Sequence, residues 1–203
     1  MKSPKTVKSL EELGRVRLSE NFFMRDFLYS EVANFYGVEN IPLDPDLAIA
    51  TGSKLCQALL EPLRDRFGQV SIRSGYRSTV INQLCNDKGE GCASNEKNFA
   101  RHIWDMPDDE NGKLGAMACI VLPRYLDYYE KTQEWRSIAW WIHDHLPYSS
   151  LQFFPKLCAF NLGWHEQPER RIDSYIKPKG CLTKPGMANH SGDHSDWYSD
   201  LNI

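Results

Sequence analysis

A chain of 203 residues with 41% apolar and 25% charged side chains can bury a core without a metal or disulfides, and is too apolar to be disordered. Its formal net charge of -3 excludes a general binder of phosphate backbones, which carries a basic face. No run reaches the roughly 18 apolar residues of a membrane span.

Met1 to Val16 is polar and lysine-bearing, without the apolar stretch of a secretory signal, so the expected compartment is the cytoplasm unless lysis releases the protein. There the six cysteines read as thiols, buried side chains or ligands, although Cys85 and Cys92 flank a loop that they could close.

In chain order, Ser19 to Tyr29 predicts a short helix with a Ser N-cap and an apolar face of Phe22, Phe23, Phe27 and Leu28. Asp44-Pro45 opens a second, whose series Leu47, Ala50, Leu55, Leu59, Leu63 and Phe67 runs to Gly68, with a kink expected near Pro62. Gln69 to Arg73 alternates as a short strand, and Ser74-Gly75-Tyr76-Arg77 turns out of it into another helix. Asn86 to Asn98 reads as an exposed loop. Ala116 to Leu122 is short and wholly apolar, as a buried central strand is.

Tyr125 to Leu146 is an aromatic-rich helical region ending before Pro147, and its Trp and Tyr side chains read as core. Within it His143 and His145, two residues apart, diverge and read as surface or helix-end residues. Ser150 to Phe154 and Cys158 to Trp164 suit a hairpin, and Arg171 to Ile176 a further strand. His190 and His194 are spaced for one helical face, but Gly192 and polar neighbours weigh against a helix there. Helices followed by a mixed run of strands predict an α+β fold, with a small mixed or antiparallel sheet packed with helices in a single domain. The core would span about 18–176, with a C-terminal extension at 177–203.

The order Leu18-Ser19-Glu20-Asn21-Phe22, then Leu60-Glu61-Pro62-Leu63-Arg64, then Val70 to Ser78 containing Ser74-Gly75-Tyr76-Arg77-Ser78, with Asn82, resembles the zinc D-alanyl-D-alanine carboxypeptidase-like (M15) peptidases. That family places a His in a His-x-x-Gly-x-Ala-x-Asp pattern, whose His and Asp bind zinc, and a second His on a later strand beside an acidic base. The resemblance implies His102 as first ligand, and Cys119 in the place of the Asp when the chain is aligned on Gly115. Asp105, three residues after His102, is the alternative carboxylate, and His165 in Gly163-Trp164-His165-Glu166 is the second histidine. Glu166 is the nearest base, and Arg77 would grip a substrate carboxylate through its fork. A thiolate keeps a zinc ligand but makes the site softer. The run Asp105, Asp108, Asp109 and Glu110 has a bland reading as a solvated loop, and Cys119 one as a small core residue.

The resemblance implies a zinc-dependent peptidase or amidase acting on a cell-wall-type peptide, as in phage lysis or tail proteins. Two alternatives stand beside it: an inactive binding or assembly module on the same fold, or a cytosolic enzyme with altered chemistry in the same cleft. The segment Gly180 to Met187 could fold back as a lid or partner surface.

Overall fold

The computed structural model describes residues 1–201. It has a mixed α+β fold in which helices pack on a six-stranded sheet of order β1-β2-β4-β3-β5-β6. Helix α1 (Val7–Gly14), which the sequence reading lacked, is capped by Thr6 and Ser9 in a reciprocal box. The helix expected over Ser19 to Tyr29 shrinks to α2 (Arg25–Leu28). The cause is Glu61, whose carboxylate accepts from the Ser19 hydroxyl and from the backbone and side-chain nitrogens of Asn21. Those groups are thereby withdrawn from capping a helix at Ser19. Helix α3 (Glu31–Tyr36) follows, closed by left-handed Gly37.

Helix α4 (Pro45–Leu55) starts with an Asp44 cap and Pro45 in its first turn, as expected. It widens into one π-turn over Cys56–Leu60 before α5 (Glu61–Phe67). Pro62 has no N–H to give the carbonyl four residues back, and its ring needs room there. The wider turn provides that room in place of a sharp kink.

Strand β1 (Ser71–Ser74), α6 (Thr79–Asp87), the short α7 (Asn95–Asn98) and β2 (Gly115–Val121) carry the chain into the sheet. Two helices follow, α8 (Pro123–Thr132) and α9 (Arg136–His145). The hairpin is β3 (Ser150–Phe153) with β4 (Phe160–His165), and β5 (Arg171–Ser174) lies parallel to β3. The tail is less irregular than its composition suggests, because β6 (Gly180–Thr183) closes the sheet against β5.

Alternation along the strands sorts the chemistry. Ala116, Ala118 and Ile120 of β2, Phe160 and Leu162 of β4, Leu151 and Phe153 of β3 and Ile172 of β5 are buried in one core. Leu55, Leu59, Leu63 and Phe67 of the long helix join them; each such side chain contributes roughly 1.5–3 kcal/mol. The residues between them, Met117, Cys119, Asn161, Gly163, His165, Ser150, Gln152, Arg171 and Asp173, share the opposite face by register. On that face the protein builds a cleft.

The expectation of thiols fails for one pair: Cys85 and Cys92 form a disulfide. Helix α6 ends at Asp87 and the glycine-rich turn after it returns the chain, so the two Cα atoms stand 5.6 Å apart, within the bridging range. Cys56, Cys119, Cys158 and Cys181 are free. No helix among the described residues is long and apolar enough to cross a membrane.

Candidate functional site

β1 hydrogen-bonds only the second half of β2. Along the first half, the Arg101 carbonyl accepts from Met117 N–H at 2.8 Å, so the loop of Ala100 to His102 lies where a strand would continue. Gly115 makes this possible, because a Cβ there would stand 2.2 Å from the Ala100 carbonyl oxygen and 2.7 Å from His165 Cδ2. The loop roofs a cleft of about 1030 Å³, lined by His102, Asn161, Ser150, Gln152, His165 and Asp108 among others.

His102 sits at the inner end. Its Nδ1 is 2.9 Å from the Gly75 carbonyl, which fixes the proton on that nitrogen, and its other side interacts with the Asn161 side chain. Burial, then the Arg77 charge, push its pKa down to about 3, so the ring is neutral at physiological pH. Asn161 is directly opposite Cys119 across the β2–β4 ladder. Burial raises the Cys119 thiol, against the pull of Arg73 and Arg77, and holds it protonated. Around His102 the structure therefore gathers Cys119, Asn161 and the charge of Arg77.

His165 lies at the other end of β4, opposite Gly115. Its Nε2 is 2.9 Å from Asp108 Oδ2, and Nδ1 meets the backbone of Gln167. Asp108, read from sequence as part of a solvated run, is thus a cleft residue. The Asn111 N–H, then Lys113 N–H and His165, hold its carboxyl below the usual range.

Asp105 points elsewhere. It accepts from Leu43 N–H at 2.8 Å, Asp44 N–H at 3.2 Å and the Tyr76 hydroxyl at 3.1 Å, tying the start of α4 to the Ser-Gly-Tyr-Arg turn. Glu166 exchanges both backbone and side-chain bonds with Leu114 and does not line the cleft. Arg77 donates to Asn82 Oδ1 at 3.1 Å and Cys92 Sγ at 2.8 Å, fastening α6 and the disulfide loop. No carboxylate among the described residues pairs with it.

The residues expected to share one ion are therefore distributed. Asp105 serves a buried turn, His102 and Cys119 meet Asn161, and His165 meets Asp108. Among the described residues, the group whose ligand atoms all lie within 4.8 Å of one another is a different one, His143, Asp144 and His194. It could hold a metal ion. This corrects in part the reading of His143 as a surface or helix-end residue: it does lie in the last turn of α9, but it is buried, with Nδ1 2.7 Å from the Tyr148 hydroxyl and Nε2 2.9 Å from the His190 carbonyl. His145 does diverge, its Nδ1 bonding the Trp141 carbonyl.

Sequence reasoning missed Asn161 and the Asp108–His165 pair. Asn161 has the same strand parity as His165, so periodicity alone could not say which of them stands opposite Cys119. No known family model, curated protein or solved structure matches this chain.

Proposed function

We propose that this protein is an M15-like scaffold that retains a peptide-binding cleft and has lost hydrolysis, the class of ligand being a cell-wall-type peptide. The observation that carries the reading is the inner end of the cleft. There His102 is engaged by Gly75 and Asn161, and behind the lining the residue opposite Asn161 is Cys119, a protonated thiol. The resemblance calls for two imidazoles and a carboxylate at one ion. One imidazole, one thiol and one amide do not fit zinc there, and no step of the reading passes through zinc in the cleft.

What remains suits recognition. Arg101 pairs with Glu169, Arg171 with Asp173 and His165 with Asp108, while Glu96, Asp109 and Glu110 also line the walls against a single further cation, Lys97. The surplus is negative and favours a ligand carrying an amine, such as a peptide with a free amino group or a diamino acid. Backbone and amide groups at Ser150, Gln152 and Asn161 offer an extended peptide its hydrogen bonds.

The test is calorimetric titration with a short D-alanine-containing peptide that has a free side-chain amine, against its acetylated form. Tighter binding of the amine form, weakened when Asp109 and Glu110 become Asn and Gln, supports the reading. Equal binding of both forms to wild type and variant contradicts it.

A second reading, a zinc peptidase, is favoured by one observation: the 2.9 Å contact of His165 Nε2 with Asp108 Oδ2 in the same cleft. It requires zinc-dependent cleavage that is lost in His165→Ala.

A further inference from the structure

We propose that His143, Asp144 and His194 form a structural zinc site that staples the C-terminal segment to helix α9. Their ligand atoms lie within 4.8 Å of one another, although His194 is 50 residues from Asp144. Two imidazoles and a carboxylate are the donor types that zinc accepts, with bonds of roughly 2.0–2.2 Å. The site lies outside the cleft and is independent of the peptide-binding reading.

The surrounding groups are those that orient metal ligands. The Asn189 carbonyl is 3.0 Å from His194 Nε2 and fixes a proton there, which leaves Nδ1 facing Asp144 Oδ1 at 2.7 Å. Only a proton or a cation can sit between a ring nitrogen and a carboxylate oxygen. The Tyr198 hydroxyl donates to Asp144 Oδ2 at 2.8 Å, and the Tyr148 hydroxyl lies 2.7 Å from His143 Nδ1. The His190 carbonyl, 2.9 Å from His143 Nε2, likewise takes a proton there, with Nδ1 accepting from Tyr148. An ion at the centre would displace that proton to Nδ1, reverse the Tyr148 bond, free Nε2 as a ligand and meet the carbonyl as the fourth donor. Such outer partners fix tautomer and ring angle in metal sites.

Trp140 stacks on His194 with centroids 4.0 Å apart, which holds the plane of that ring. The two nitrogens and the carboxylate come from α9 and from the turn before the 3-10 helix Ser195–Trp197. An ion between them would hold β6 and this last turn against the helix.

The test uses the full chain stripped with chelator, then titrated with zinc chloride and followed by calorimetry and by hydrogen exchange of 189–199. Wild type is expected to take one equivalent, with exchange in that segment slowed at least tenfold. His194→Gln and Asp144→Asn should each weaken binding at least tenfold, whereas His102→Ala and His165→Ala should leave it unchanged. Absence of stoichiometric binding, binding as tight in both site variants, or exchange unaffected by zinc would each overturn the site and leave the His194–Asp144 contact a hydrogen bond without an ion.

Discussion

Cys119 and Asn161 stand directly opposite one another on neighbouring strands, close enough for their side chains to meet, and the His102 ring reaches the same Asn161. Placing a carboxylate and an imidazole at these two positions should therefore create a metal centre. The double variant Cys119→Asp, Asn161→His is expected to gain a cleft zinc site of micromolar affinity or tighter, at least ~4 kcal/mol better than millimolar binding. Calorimetry in a His194→Gln background isolates that site from the one on α9.

His102 makes a pH prediction with a definite sign. Its folded pKa is depressed to about 3 by burial first and by Arg77 next, whereas an unfolded histidine titrates near ~6.5. Between those values the unfolded chain binds the extra proton, so this contribution is whole above ~6.5 and is lost as pH falls, by roughly 1.4 kcal/mol per unit. Unfolding free energies from urea titrations at pH 7 and pH 5 should differ by ~2 kcal/mol more in wild type than in His102→Gln.

Gly115→Ala places a methyl against the Ala100 carbonyl and the His165 ring. The loop must lift from β2, at a cost of about 1–3 kcal/mol. Loss of the 2.8 Å bond from Met117 N–H to Arg101 should appear as faster hydrogen exchange at Met117.

Asp105→Ala removes the acceptor for two backbone N–H groups and the Tyr76 hydroxyl. Orphaning the buried Tyr76 donor costs roughly 1–3 kcal/mol and the two part-buried N–H groups can turn to water, so denaturant unfolding should show a loss of about 2 kcal/mol, with zinc content unchanged. A carboxylate acting as a ligand would show the reverse.

The fold was legible where one physical signal dominates. The apolar run of β2, the alternating hairpin β3–β4, and the Asp44-Pro45 start of α4 all stand where periodicity and capping placed them. Ser19 failed as a cap because Glu61, 42 residues away, captures its hydroxyl. No local pattern encodes that contact. The site was legible in part: His102 and His165 line the cleft and Cys119 shares a sheet face with His165 by register, but which strand residue stands opposite Cys119 is a matter of register, and a shift of four residues preserves every alternation. His143 and His194 escaped notice as a pair because the tail's return to α9 through β6 leaves no periodic trace.

The most direct measurement is mass spectrometry of a D-alanyl-D-alanine-terminated peptide incubated with the protein and excess zinc. The expected result is an intact peptide that is bound but not cleaved. Release of D-alanine at a rate abolished by His102→Ala or His165→Ala would contradict the reading of the cleft as a binding site without hydrolysis.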